Sequence, residues 1–401
     1  MSKLFYSVLI SLLCACSLSV AQDNAPAGKI SGYMFGDFFY NFARDTSFAT
    51  GKNTPTKTAL TGPADMQGFQ FRRIYITYDN DISNLFTSRF RLEADQSALT
   101  SGTSALAVKS GGKGKDTTIT ASQYGGKITV FVKDAYLKWK NVFSNSDLIF
   151  GIQPTTAYDI SEGAWGYRSL EKTIMDLRGI IPSRDFGLAL RGKITDDGMF
   201  NYWAMISNGD GNSPVSSKFH RYSLNIQVKP VDNWQIDLNG DYRAMANTND
   251  ITSTALPPAT LSNGLLTGSI FVGYNLKDQY SFGVEAYNQT WANQYKYSDT
   301  TTTPHTPTQT GLTSMGISVW GTYNLQPDLA IVARYDYYDP NTNSWSKGDS
   351  RNYIIGGVSW KPDKNVSIIP NIQYESYEAP PTGTTPNASV TGRVTFYYIF
   401  L

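Results

Sequence analysis

From about residue 30 onward the chain alternates apolar and polar side chains with a period of two, and the segments between the alternating runs sort strictly into short and long. A period of two marks β-strands whose two faces meet different surroundings. Sixteen runs read as strands, at roughly 29–43, 68–79, 85–96, 128–140, 146–156, 185–195, 198–208, 220–230, 233–245, 265–276, 279–290, 311–325, 328–338, 351–361, 365–377 and 389–400. Connections after the even-numbered runs are short: "DNDISN", "NVFSNS", "TDDG", "PVDN", "LKDQ", "LQPDL" and "KPDKN". Their Asp, Asn, Gly and Pro suit tight hairpins. Connections after the odd-numbered runs are long and polar, among them "DTSFATGKNTPTKTALTGPADMQG", "SALTSGTSALAVKSGGKGKDTTITASQYGG" and "NQYKYSDTTTTPHTPTQT". An even number of strands, with short turns at one end and long loops at the other, is the pattern of a transmembrane antiparallel β-barrel. A soluble sandwich has no physical reason to sort its loops by end.

The two faces of each run differ in kind. In "LFTSRFRLEAD", Phe86, Ser88, Phe90, Leu92 and Ala94 share one face, and Thr87, Arg89, Arg91, Glu93 and Asp95 the other. In "RYSLNIQVK", Tyr222, Leu224, Ile226 and Val228 oppose Arg221, Ser223, Asn225, Gln227 and Lys229. In a barrel in lipid the apolar face points out and the charged face points in, toward enclosed water. The run "TGRVTFYYIFL" alternates Val394, Phe396, Tyr398 and Phe400. As a free edge in water it would invite aggregation; paired with "KISGYMFGDFFYNF" it closes the barrel. Aromatics at strand ends (Phe38, Phe39 and Tyr40; Tyr136 and Trp139; Tyr337 and Tyr338; Tyr397, Tyr398 and Phe400) read as interfacial girdles.

A helical membrane protein would show several apolar runs of about 20 residues. Mean hydropathy is −0.30, and a single candidate run stands near the start. There "MSK" supplies a basic start, "LFYSVLISLLCACSLSV" an apolar stretch, and "SVA" before Gln22 small residues for cleavage. This reads as a signal peptide over 1–21, with 22–401 as a single barrel domain. "LCAC" leaves open the alternative that Cys16 is lipidated. Cleavage after Ala21 removes both cysteines, and with them disulfides, zinc thiolates and thiol nucleophiles. Loss of Lys3 also brings the 34 basic residues level with the 33 acidic ones, which argues against nucleic acid as a partner. The histidines are His220 and His305, too few and too far apart for a metal site or a hydrolase relay. "SGGKGKD" lacks the residue order of a phosphate loop. No cofactor is expected, and the chain reads as not an enzyme.

"FRRIYITYDNDISNLFTSRFRLEAD", "VKDAYLKW", "LIFGIQPTTAYDISEGAWGYRSLEKTIMDLRGIIPSRDFGLALRG" and "RYDYYDPNTNSW" with "NYIIGGVSWKPDKNVSIIPNIQYESY" together resemble the phosphate-selective porin (O and P type) family of Gram-negative outer-membrane β-barrels. The resemblance implies a barrel of 16 strands, a homotrimer, and a third loop folded inward to narrow the pore. Here that loop is roughly 157–184, carrying Glu162, Arg168, Glu171, Lys172, Asp176, Arg178 and Arg184. The lumen expected here departs from the arginine ladders of phosphate-specific members. Arg89, Arg91, Lys138, Arg191, Lys193, Arg243, Arg334 and Arg393 stand against Glu93, Asp95, Asp134, Asp237, Asp241, Glu285, Asp336 and Glu375.

The expectation is therefore an outer-membrane porin, embedded in outer-membrane lipid, that passes small hydrophilic solutes or ions by passive diffusion. Phosphate is among its candidate anions, and the even charge count leaves anion against cation preference open. Pore-lining candidates are Arg89, Arg91, Arg168, Arg178 and Arg191 on the basic side and Glu93, Asp95 and Asp176 on the acidic side. Two alternatives stand beside it: an outer-membrane barrel enzyme, and a secreted soluble β-protein binding carbohydrate.

Overall fold

The computed structural model describes residues 27–46, 59–95, 102–108, 117–123, 129–299, 306–344 and 346–401; the expected signal peptide, both cysteines and His305 lie outside them. The strands are β1 (Ala27–Ala43), β2 (Gln67–Asp81), β3 (Phe86–Asp95), β4 (Gly102–Val108), β5 (Thr117–Gln123), β6 (Thr129–Phe143), β7 (Ser146–Pro154), β8 (Arg184–Lys193), β9 (Phe200–Ser207), β10 (Arg221–Val228), β11 (Trp234–Ala244), β12 (Thr248–Asn249), β13 (Thr260–Leu261), β14 (Gly264–Leu276), β15 (Tyr280–Asp299), β16 (Thr306–Gln326), β17 (Leu329–Asp339), β18 (Arg351–Asp363), β19 (Val366–Tyr377) and β20 (Ser389–Ile399). Among the described residues sixteen of these form one closed barrel, each pairing with the next strand in the wall. All the wall pairings are antiparallel, and β1 meets β20 from Tyr33↔Ile399 to Ala43↔Val390. Pairs β4/β5 and β12/β13 are small separate hairpins in the long loops.

The sixteen predicted strands are the sixteen of the wall. Short-turn chemistry acts as expected: Asn141, Asn145, Asn233 and Asp278 adopt φ of 52°, 58°, 69° and 60°, and Gly198 adopts 72°. Asn, Asp and Gly tolerate this left-handed region best. The wall also has the predicted sense. On β17, Ile331 and Tyr335 are 44% and 41% exposed outside, while Val332, Arg334 and Asp336 are buried within. On β19, Ile372 and Tyr374 face out, and Gln373 and Glu375 are fully buried.

Three features depart from the sequence reading. The segment read as a long loop after residue 290 continues as strand: β15 and β16 stay paired as far as Asp299↔Thr306. Four of the aromatics assigned to girdles face the lumen: Phe39, paired with the inward Arg393, Tyr397, paired with the buried Phe35 and Ser367, and Tyr136 and Tyr338. Tyr338 is 1% exposed inside the barrel, and Tyr136 packs on an inner cluster of Ile149, Ala189, Trp203 and Met205. The inner wall is also not uniformly polar, because Phe271, Trp320, Val332, Tyr353, Ile355 and Ile369 form one apolar tract inside β14–β19.

That tract holds the long loop between β7 and β8 inside the barrel. The loop carries two helices too short for sequence periodicity, α1 (Asp159–Trp165) and α2 (Ile174–Leu177). Trp165 and Leu170 join the tract, while Ile174, Met175, Ile180 and Ile181 pack with Tyr287 and Tyr338. Gly316 leaves room for this contact, since a Cβ there would lie 2.4 Å from the Tyr287 ring and 2.9 Å from Ile174 Cδ1.

Gly316→Val is therefore expected to cost about 1–3 kcal/mol through overpacking. The temperature at which the folded band converts on a detergent gel should fall. Gly240→Ala, where an added Cβ meets nothing within 4 Å, should leave that temperature in place. Equal behaviour of the two variants would disprove the packing account.

Candidate functional site

Two bulges in the wall build the site. Opposite β1 the register jumps from Phe35↔Arg73 to Gly36↔Phe71, so Arg72 is an extra residue on β2. Opposite β3 it jumps from Arg91↔Asp134 to Leu92↔Val132, so Lys133 is extra on β6. A bulge re-aims the side chains beside it. Here it turns consecutive charged residues, Arg72 with Arg73 and Lys133 with Asp134, toward the same lumen. Gly36 makes the first bulge possible: a Cβ there would be 2.7 Å from the Gln70 carbonyl oxygen.

Each redirected residue enters a network. Arg72 donates through Nη1 to the carbonyls of Ser169 (2.6 Å) and Leu170 (2.9 Å) and lies 3.5 Å from Asp37 and 3.7 Å from Glu171. Arg73 meets Glu93 at 2.9 Å and Asp95 at 3.7 Å. Lys133 reaches the other oxygen of Glu93 at 2.9 Å, and Asp134 pairs with Arg91 at 3.3 Å and with Arg184. On the loop, Arg168 clasps Glu162 and Asp176, and Lys172 stands 3.8 Å from Asp176. Burial pushes the Asp176 carboxyl up, but Arg168 and Lys172 outweigh it and hold the group well below the usual carboxylate range. Glu171 is likewise raised by burial and lowered more by Arg72 and Arg393. Both carboxylates stay charged across the physiological range.

Of the predicted site residues, Arg91, Glu93, Asp95, Arg168 and Asp176 share this narrowing between loop and wall. Arg89 sits nearer the short-turn end, bound through two hydrogen bonds to Asp79. Arg191 lies in a lower vestibule, over the Trp203 ring at 4.6 Å and 3.7 Å from Asp159. Arg178 is in neither place. It is 1% exposed, 2.9 Å from Glu375 and stacked 4.9 Å over Tyr338, where it pins the loop to the wall and faces no open space. Sequence reading did not nominate Arg72, Arg73 or Lys133. Strict alternation explains the omission of the bulged Arg72 and Lys133, one of each consecutive pair, while Arg73 holds a regular inward position that the reading passed over.

The even charge count hides an asymmetry. All eight acids expected in the lumen are buried, none more than 7% exposed, whereas of the eight bases only Arg334 is. A cavity of about 210 Å³ separates loop from wall, lined by Phe35, Gln70, Arg72, Arg73, Asp95, Arg168, Glu171, Lys172 and Arg393: five cations and two carboxylates. A second, of about 520 Å³, opens at the short-turn end, with Lys138, Arg191, Lys193 and Lys229 against Asp147. Space that solvent can enter is basic at both levels.

No family model matches the chain, and no curated protein matches it. Solved structures do match. The outer membrane channel DcaP of Acinetobacter baumannii superposes with a TM-score of 0.58 at 11% identity, over 96% of this chain and 100% of that one. An anion-selective porin from Comamonas acidovorans gives 0.57 at 10%, over 94% and 100%. OmpT of Vibrio cholerae, an outer membrane protein, gives 0.53 in its trimer form at 12%, over 94% and 100%. At such identities the likeness is one of fold.

Charge-assisted hydrogen bonds are each worth about 1.5–3 kcal/mol. Arg72→Ala is thus expected to loosen the loop tip and speed hydrogen exchange of the amides around Ser169–Thr173 about tenfold or more, read by mass spectrometry of the folded barrel. Exchange rates matching the parent would show that Arg72 does not hold the tip.

Proposed function

We propose that this chain is an outer-membrane porin, a water-filled channel for passive diffusion of small hydrophilic solutes, that prefers anions and is not an enzyme. The observation that carries the reading is the charge lining the open space: five cations against two carboxylates at the narrowing, and four against one in the vestibule. An anion crossing the narrowing exchanges part of its hydration for Arg72, Arg73, Arg168, Lys172 and Arg393. Their carboxylate partners keep each cation from binding so strongly that the anion cannot leave. The resemblance to phosphate-selective porins favours phosphate among the anions served.

The outward apolar wall suits lipid, and closure of the sheet leaves no unpaired edge within it. An enzymatic reading has little to work with, since His220, the one histidine among the described residues, is exposed just before β10. A homotrimer and export through a cleaved leader complete the proposal. Mass spectrometry of the detergent-extracted particle should find three chains, each beginning at Gln22; a monomer, or a chain retaining Cys16 with lipid attached, would overturn the corresponding part.

Planar-bilayer recordings test the channel itself. In a salt gradient the reversal potential should indicate anion preference. A unit charge about 4 Å from a passing ion is worth about 1 kcal/mol in water, roughly fivefold. Lys172→Gln combined with Arg393→Gln should therefore lower the anion-to-cation permeability ratio by about fivefold or more. Absence of conductance steps at every voltage would end the channel reading, and an unchanged ratio would end the filter assignment.

A further inference from the structure

The vestibule at the short-turn end differs in chemistry from the narrowing above it. Its charged lining is basic, with Lys138, Arg191, Lys193 and Lys229 against the single carboxylate Asp147. Asp147 is 3.7 Å from Lys138, and Asp159 is 3.7 Å from Arg191. Lys193 and Lys229 form no ion pair within 4 Å among the described residues, and Asp197 at the adjoining turn acts on Lys193 at longer range, so two ammonium groups line the cavity without a contacting carboxylate. Between the cations stand side-chain amides, Asn141, Asn201 and Gln227 among them. The parity of β9 and β10 aims Asn201 and Gln227 inward. Asn201 Nδ2 donates to the Gly198 carbonyl at 2.8 Å and lies 3.5 Å from Gln227 Oε1, which leaves the Asn201 oxygen to accept and the Gln227 amide nitrogen, without a hydrogen bond among the described residues, to donate.

This mixture selects by chemistry. A bare inorganic anion is satisfied by cations alone. Carboxamides both donate and accept, and they match hydroxyl groups, which do the same. A planar base would need an open aromatic face, but the Trp203 ring is covered by the Arg191 guanidinium at 4.6 Å. A space of about 520 Å³ accommodates one or two sugar rings, within the usual range for small-ligand sites of about 300–1,000 Å³.

We propose that this vestibule is a binding subsite for hydroxylated organic anions of the acidic-sugar class, with Lys193 and Lys229 taking the carboxylate and Asn201 and Gln227 the ring hydroxyls. The inference rests on the channel reading for its access route, and it adds a ligand class and a side. The site lies below the narrowing, so a ligand held there meets the short-turn mouth first.

The test uses glucuronate, with glucose as the uncharged ring and acetate as the charge without hydroxyls. Added on the short-turn side of a single channel, glucuronate should interrupt the current at concentrations about tenfold lower than either control, equivalent to about 1.4 kcal/mol, and more effectively than from the long-loop side. Lys193→Gln with Lys229→Gln should bring glucuronate down to the glucose level. Asn201→Leu with Gln227→Leu should bring it down to the acetate level. Glucuronate blocking no better than acetate, or equally well from both sides, overturns the subsite while leaving the channel intact. Should the barrel fail to conduct, the channel reading falls alone, and saturation-transfer NMR of glucuronate with the detergent-folded protein decides the subsite: transfer above that of glucose supports it, and none overturns it.

Discussion

The molecule depends on the closure of its own sheet. Ladder pairing between β1 and β20 converts a long meander into a cylinder without an edge. Once closed, each strand has an inside and an outside, and the period-two pattern acquires meaning. Isoleucine, leucine and tyrosine can cover the outside only because no backbone donor or acceptor is left bare among them. The inside then becomes a surface of fixed circumference, and whatever narrows it must come from loops or from departures in the wall.

Both sources operate. The loop between β7 and β8 is held by apolar packing against the inside of β14–β19 and is tied to the neighbouring wall of β20 and β2 through polar contacts of Arg393 and Arg72. Its two attachments differ physically. Packing of Trp165, Ile174 and Met175 is nondirectional and sets where the loop lies. The hydrogen bonds from Arg72 are directional and set where its tip ends. The remaining space is offset toward β1–β3, and there the bulges concentrate charge. Five cations against two carboxylates make that space basic although the totals are equal.

Strands, turns and the sense of the wall were legible in the sequence because each rests on a local rule. Alternation survives in "LFTSRFRLEAD" and "RYSLNIQVK", and Asn or Asp at the left-handed turn positions announces itself. What was not legible depends on the third dimension. An inward Val332 or Ile355 looks the same in sequence as an outward Ile331 or Ile354, so the apolar tract inside the barrel left no periodic trace. Helices of seven and four residues are too short for a 3.6-residue period to register. Arg178 was nominated for its charge, yet its place was decided by Glu375, Tyr338 and Tyr353, which are distant in sequence. The bulges escaped because "FRRIY" and "FVKDAY" carry no mark of which residue is supernumerary.

That supernumerary status has an outcome of its own. On either side of Arg72 the inward positions run Gln70 and then Arg73, and on either side of Lys133 they run Phe131 and then Asp134. Excising either bulged residue would restore plain in-and-out order with every other side chain still on its present side. The bore can thus gain or shed a cation through a change of chain length by one, without a single substitution elsewhere and without turning any greasy residue inward.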